Sequence, residues 1–120
     1  MHFTRLVPNI FYKDIRIGLK TFVDCLEFKI GHNETNAAIP FCVVEKGELR
    51  ANLFQDKKYA AEHSPEFRLV TNNIDEVYER IASKFPELLH PNLSKPTLRP
   101  WGAKEFALKD GQLGIIIQQW

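Results

Sequence analysis

Hydrophobic residues recur with the period of a β-strand in some segments of this chain and with the period of an α-helix in others. The order of these segments is similar in the two halves. In the first half the pattern predicts a strand, a helix and three further strands, at residues 5–12, 15–26, 27–32, 39–45 and 49–55. In the second half it predicts a strand, a helix, one short edge strand and a closing hairpin, at residues 67–71, 74–85, within 90–100, and at 103–120. We therefore expect an internal repeat of a strand, a helix and strands.

Capping and turn residues mark the ends of these elements. Asp14 precedes the first helix and Asn73 precedes the second, and both residue types are favourable N-caps. Asp110-Gly111 separates two β-prone runs, which is typical of a tight type I′ hairpin because Gly adopts positive φ at little cost. Lys46-Gly47 is expected to form another hairpin turn. The charged, Ala-rich residues 56–65 are predicted to link the two halves.

Composition narrows the classes of function. The chain has 120 residues, of which 44% are hydrophobic, and this predicts a single domain over residues 1–120. Its formal net charge is +1 with acids and bases interleaved, whereas nucleic-acid binding usually needs a concentrated basic surface. No apolar run is long enough to cross a bilayer. Cys25 and Cys42 match neither a metal motif nor a disulfide framework. We expect a cytoplasmic protein with no nucleic-acid or membrane partner.

Three stretches of the sequence carry a family resemblance. Residues 7–15 and 22–28 combine a strand, an aspartate, a helix and an aromatic exit, and residues 72–78 begin the second helix in a similar way. Residues 99–111 read Arg-Pro-Trp-Gly-Ala-Lys-Glu-Phe-Ala-Leu-Lys-Asp-Gly. Together they resemble the vicinal oxygen chelate superfamily, in its glyoxalase and bleomycin resistance protein-like branch. The family's usual Asp-Pro-x-Gly turn is shortened here to Asp110-Gly111.

The resemblance implies an architecture and a class of partner. The implied fold is α+β, with two βαβββ modules at residues 1–58 and 65–120 that form a curled mixed sheet around a cavity. It also implies a homodimer that holds a small-molecule ligand in a cavity near the dimer interface. Antibiotic resistance through drug binding is one role found in this branch.

The resemblance also implies where a metal would lie. Catalytic members of the superfamily bind a divalent metal through His and Glu side chains. The corresponding positions here are Val7, Asn52, Glu66 and Ile115. Only Glu66 among them is a good metal ligand, so we expect no metal and no other cofactor. The alternative is a metal-dependent lyase, isomerase or dioxygenase with an atypical ligand set drawn from Glu66, Glu105 or His90.

Without a metal, a cavity of this kind is expected to hold its ligand by stacking and hydrogen bonding. The candidate ligand-binding residues are Trp101, Glu105, Asn52, Phe54, Arg50, Phe41, Arg99 and His90. Trp101 is the first of these, and a buried position at the end of the barrel is the alternative for its ring. Glu105 either faces the cavity or forms a salt bridge with Arg50 or Arg99. The nearby basic residues favour a neutral or anionic ligand.

Overall fold

Each half of the chain forms a four-stranded mixed sheet in the computed structural model, which describes residues 1–120. The first unit, Met1–His63, contains strands β1 (Asn9–Tyr12), β2 (Lys29–Glu34), β3 (Phe41–Lys46) and β4 (Leu49–Gln55). The strand order is β1-β4-β3-β2. The β1 strand runs parallel to β4, and the other neighbours are antiparallel.

The second unit, Ser64–Trp120, repeats this arrangement. Its strands are β5 (Glu66–Val70), β6 (Thr97–Leu98), β7 (Lys104–Lys109) and β8 (Gly114–Gln119). They lie in the order β5-β8-β7-β6, with β5 parallel to β8. The expected α+β class with mixed sheets is therefore confirmed.

The helix of the first unit has two parts. Helix α1 (Ile15–Leu19) begins at Asp14, whose side chain accepts the Arg16 backbone N–H, and continues as a π-helix over Lys20–Cys25. A Cβ atom at Gly18 would lie 2.5 Å from Cε2 of Tyr12. Glycine thus allows the helix to approach β1 closely, and Tyr12 is completely buried there.

One face of each sheet packs against a helix and forms the core. In the second unit helix α3 (Ile74–Lys84) covers β7, where the rings of Tyr78 and Phe106 meet edge to face at 5.5 Å. Phe106 and Leu108 are buried on this side, as the alternation of the strand predicts. Helix α3 ends before Pro86, which starts a short 3₁₀ helix, Pro86–Leu88.

Two predicted connections differ from the structure. Residues 56–65 are not an extended linker, because Asp56 caps a helix, α2 (Lys57–Glu62), by accepting the Tyr59 N–H. The connection that follows the predicted strand at residues 27–32 also starts later than expected, because β2 runs from Lys29 to Glu34. Helix α2 and the end of β2 lack buried residues, so neither carries the hydrophobic period from which elements are recognised.

The two predicted hairpin turns also shift. The closing turn spans four residues, 110–113, rather than two, and the Asp110 carboxylate accepts the backbone N–H groups of Gln112 and Leu113. The first hairpin turns at residues 47–48, one position later than expected, with Gly47 at a φ of 60°. In both turns glycine occupies the left-handed region, with Gly111 at a φ of 92°.

No helix of the chain is long and apolar enough to span a membrane.

Candidate functional site

The first candidate surface lies on the second sheet, on the face opposite α3. Because Phe106 packs against α3, the alternation of β7 directs its neighbours Glu105 and Ala107 to the other side. On β8 the residues directly across are Gln118 and Ile116, which share that side. This face, defined by Glu105, Ala107, Ile116 and Gln118, therefore places a carboxylate and an amide beside two apolar side chains.

A chain of hydrogen bonds crosses this face. The Trp101 indole N–H donates to Oε2 of Glu105 over 3.0 Å, and Nε2 of Gln118 donates to the same oxygen over 2.6 Å. The Trp120 indole N–H donates to Oε1 of Gln118 over 3.2 Å. Glu105 is only 1% exposed, whereas Trp101 and Trp120 are 49% and 71% exposed. One buried carboxylate thus orients two solvent-exposed indole rings, either directly or through Gln118.

Arg99 completes this cluster from the segment between β6 and β7. Its guanidinium carbon lies 4.8 Å from the Trp101 ring centroid, in a cation–π contact. Its Nε lies 3.9 Å from Oε1 of Glu105, which is within ion-pair range but too long for a hydrogen bond. That Nε is buried and has no hydrogen-bond partner in the protein. The cluster therefore contains an N–H donor that is not satisfied by the chain itself.

A second candidate surface lies on the first sheet, on the face opposite α1, and it is aromatic. Phe54 stacks on Phe11 at 5.4 Å and on Phe41 at 5.7 Å, across three neighbouring strands. Tyr59 of α2 extends the row beyond Phe11, at 5.0 Å, and His32 extends it beyond Phe41, at 5.5 Å. The three phenylalanines are half-buried, so part of each ring is accessible.

Two polar pairs lie on this aromatic face. The Asn52 amide donates to Oδ1 of Asn9 over 3.0 Å. The Arg50 guanidinium forms an ion pair with Glu45, its direct neighbour on β3. Arg50 therefore has a carboxylate partner within its own unit. Arg99, rather than Arg50, is the arginine beside Glu105.

The structure thus groups the eight predicted residues into two sets and one outlier. Trp101, Glu105 and Arg99 share one cluster, and Phe41, Arg50, Asn52 and Phe54 share the aromatic face. His90 lies apart from the Trp101 cluster along the edge of β7, where its backbone N–H donates to the Ala107 carbonyl. Its ring Nδ1 accepts the Asn92 backbone N–H.

Sequence reasoning missed several residues of these surfaces. Gln118 was not singled out because its importance depends on pairing with Glu105 across the closing hairpin. Phe11 lies on β1 between the buried Ile10 and Tyr12, and strand alternation alone places it on the opposite face. Tyr59 was missed because its segment was interpreted as a linker.

Of the four positions at which the resemblance implies metal ligands, only Glu66 carries a metal-binding side chain. No group of three or more His, Cys, Asp or Glu side chains is arranged to hold a metal ion. The Asn52 amide is hydrogen-bonded to Asn9, and Val7 is aliphatic. Ile115 lies opposite Leu108, on the side of α3, so the expected last-strand position is displaced by one residue to Ile116. Neither isoleucine is a ligand, and the donor set does not fit a divalent metal.

Comparison with solved structures identifies the fold. No protein-family model matches the chain, and no curated protein matches it in sequence. The bleomycin-binding protein of bleomycin-producing Streptomyces verticillus, solved with copper(II)-bleomycin, matches at 18% identity and a TM-score of 0.70. The match covers 98% of this chain and 96% of that chain. TioX from Micromonospora sp. ML1 matches at 13% identity and a TM-score of 0.76, with 98% of both chains covered.

A glyoxalase/bleomycin resistance protein/dioxygenase from Nocardioides also matches, at 13% identity and a TM-score of 0.76. That match covers 100% of this chain and 85% of that chain. At such identities structural likeness establishes the fold, while function depends on the residues of the site. The chain therefore has the vicinal oxygen chelate fold, which the motif resemblance implied.

Proposed function

We propose that the protein binds a small aromatic molecule, neutral or anionic, without a catalytic metal, on the Trp101 cluster. The observation that carries this proposal is the geometry of Trp101. Its half-exposed indole is held by the buried Glu105, and Arg99 beside it has an unpartnered N–H donor. A flat ligand stacks on the exposed part of the indole, and its acceptor or anionic group meets the solvent-exposed part of the Arg99 guanidinium.

The aromatic face of the first unit supports the same class of ligand. Phe41, Phe54 and Phe11 form a continuous stack of half-buried rings, which by itself offers apolar contact to a flat molecule. The polar pairs on this face, Asn52 with Asn9 and Arg50 with Glu45, supply hydrogen bonds at defined positions. Ligand sites typically combine many apolar contacts with a few polar groups that fix orientation. His90 contacts the first surface only through its backbone N–H, which donates to the Ala107 carbonyl, and we leave it out of the proposed site.

The test uses intrinsic fluorescence with three matched sets of compounds: aromatic carboxylates, their neutral amides, and aromatic amines of equal size. The measurement is made in a Trp120→Phe background, so that Trp101 is the only indole that reports. We expect saturable changes in Trp101 emission for some carboxylates or amides and weaker changes for the amines. Saturable binding confined to the cationic amines would contradict the proposed charge preference.

Two variants separate stacking from the charge contribution. Trp101→Ala should abolish binding, which is then measured by calorimetry because the reporter is lost. Arg99→Gln should weaken carboxylates more than amides, because only the former use the cationic charge. Lys95→Gln, an exposed charge change in the same unit, is the control and should leave both classes unchanged. Absence of binding by every compound to the wild-type chain would instead favour a purely structural protein.

We also propose that the ligand site lies near the interface of a homodimer. Four large apolar side chains of the second unit are at least 49% exposed: Val70, Leu98, Trp101 and Trp120. Association of two copies through this unit would remove these side chains from water. Light scattering should give twice the 13.9 kDa chain mass. A monomer would contradict the dimer proposal but not ligand binding, which the fluorescence titration tests separately.

The metal-free character is tested by elemental analysis and by titration with nickel, zinc, manganese and iron. We expect no stoichiometric metal binding, because the ligand positions of the superfamily carry aliphatic or amide side chains apart from Glu66. Stoichiometric metal that is lost in Glu66→Ala would favour the metal-dependent enzyme instead.

A further inference from the structure

A cleft of about 490 Å³ lies in the first unit, at the end of the sheet where the parallel strands β1 and β4 finish. The turn into α1, the β2–β3 loop and the start of α2 surround it. Its less exposed lining includes Thr35, Pro40 and Gln55, and its rim carries Lys13, Arg16 and Lys57. The cleft is thus distinct from the aromatic face, and its volume lies in the range typical of small-molecule sites.

The charges of the cleft are mostly positive. Three cationic side chains line it, and Asp14 is its one carboxylate. Asp14 is already paired with Arg16, through contacts of 2.7 and 3.1 Å, and it also accepts the Arg16 backbone N–H. The Arg16 guanidinium holds the pKa of Asp14 below its usual value, so this carboxylate stays charged and neutralises Arg16. The excess positive charge is therefore that of Lys13 and Lys57.

Neither lysine is neutralised by the protein. No hydrogen bond or ion pair engages the ammonium group of Lys13 or of Lys57. Two other carboxylates are adjacent in sequence to lining residues: Asp56 precedes Lys57 and caps α2, and Glu34 precedes Thr35 and pairs with His32. On a chain whose formal net charge is only +1, this is a local concentration of unpaired positive charge at a concave surface.

The lining also offers a neutral donor. Gln55 accepts the Ile15 backbone N–H through Oε1 over 3.0 Å, and this hydrogen bond fixes the orientation of its amide. The Gln55 NH₂ group has no acceptor in the protein. Pro40 beside it supplies an apolar surface, so the lining suits an organic group while the rim suits a negative charge.

We infer that this cleft is a second ligand site, which takes a small organic molecule bearing a phosphate or carboxylate group. The anion lies between the ammonium groups of Lys13 and Lys57, with the Gln55 amide as an additional donor. The organic part of the ligand rests on Pro40 and the neighbouring apolar lining. None of its lining residues belongs to the Trp101 cluster, so its test is separate from the fluorescence test of that cluster.

The experiment is a titration followed by ¹⁵N–¹H NMR, which reports on each backbone amide. The probes are phenyl phosphate, benzoate, inorganic phosphate and the uncharged phenol. We expect saturable shifts at Ile15, Thr35 and Gln55 with phenyl phosphate, benzoate or both, and much smaller shifts with phenol. Tighter binding of phenyl phosphate would indicate a phosphate ligand, and tighter binding of benzoate would indicate a carboxylate ligand. Higher salt should weaken the binding, because the rim charges are exposed.

Variants decide whether the lysines form the site. Lys13→Gln/Lys57→Gln should weaken phenyl phosphate by about tenfold or more, since two charge-assisted contacts are lost. The control, Lys58→Gln/Lys95→Gln, removes the same charge at exposed positions outside the cleft, including the residue next to Lys57. Equal affinities of the two double variants would overturn the proposal, as would equal shifts with phenol and phenyl phosphate. Shifts spread over surface lysines of both units would show non-specific anion binding and would also overturn it.

Discussion

Replacement of Glu105 by alanine should destabilise the protein through one identifiable group, the side-chain amide of Gln118. Glu105 is 1% exposed, and its Oε2 accepts hydrogen bonds from Trp101 and Gln118. In Glu105→Ala both donors lose their acceptor. The Trp101 N–H can bind water because the ring is half-exposed, whereas Gln118 is only 5% exposed and is left unsatisfied. A buried donor without a partner costs about 1–3 kcal/mol.

Two further effects adjust this value. The shortened side chain leaves a small cavity, which adds about 1 kcal/mol in a partly relaxing site. The lost attraction to Arg99 contributes little, because Nε and Oε1 are 3.9 Å apart and Arg99 is about one-third exposed. We expect Glu105→Ala to lower the free energy of unfolding by about 2–4 kcal/mol. Glu105→Gln retains an oxygen acceptor and should cost about 1 kcal/mol.

The assay is urea unfolding followed by circular dichroism and analysed as a two-state transition. Glu66→Ala, on β5 of the same sheet, is the matched control, because its exposed carboxylate has no partner and its loss should change stability by less than about 0.5 kcal/mol. In a Trp120→Phe background, Glu105→Ala should also shift Trp101 emission to longer wavelength as the indole loses its tether. The reasoning is refuted if the alanine, glutamine and Glu66 variants unfold with the same free energy.

Three further predictions follow from the first unit. Gly18→Ala should lower the free energy of unfolding in urea by about 1–2 kcal/mol net. The new Cβ overlaps the buried ring of Tyr12, and the cost of this overlap exceeds the gain in helix propensity. Unchanged stability would show that the ring moves freely. Asp14→Asn should be less stable than the wild type at neutral pH and equally stable in strong acid. The hydrogen bond from Arg16 lowers the folded-state pKa of Asp14. The stabilisation by the charged Asp14 is therefore fully present above the ordinary carboxylate pKa and is lost as pH falls through the lower folded-state pKa. Burial raises the pKa of the Cys42 thiol, so iodoacetamide should not modify Cys42 in the native protein at mildly alkaline pH and should modify it after unfolding, as followed by mass spectrometry.

The elements that could be predicted from the sequence are those with one apolar face. Strand β7 is buried on both sides, but its large apolar side chains Phe106 and Leu108 face α3 while Glu105 and Ala107 face the other way, and this alternation of residue type makes its period of two visible in the sequence. Helix α3 shows its buried Ile74 and Ile81 at helical spacing for the same reason. Helix α2 buries nothing fully, so no periodic signal marks it, and the same holds for the end of β2 beyond the predicted strand at 27–32.

The sequence by itself determined the repeat, the strand faces and the identity of the aromatic and charged candidates, because local periodicity and capping depend on neighbouring residues. Only the tertiary structure decided which of these side chains meet. Arg99 lies beside Glu105, whereas Arg50 pairs with Glu45. Gln118 reaches Glu105 only because the hairpin register places residues thirteen positions apart directly opposite each other. Such pairings depend on register and loop length, and the closing turn is two residues longer than the Asp110-Gly111 pattern predicts.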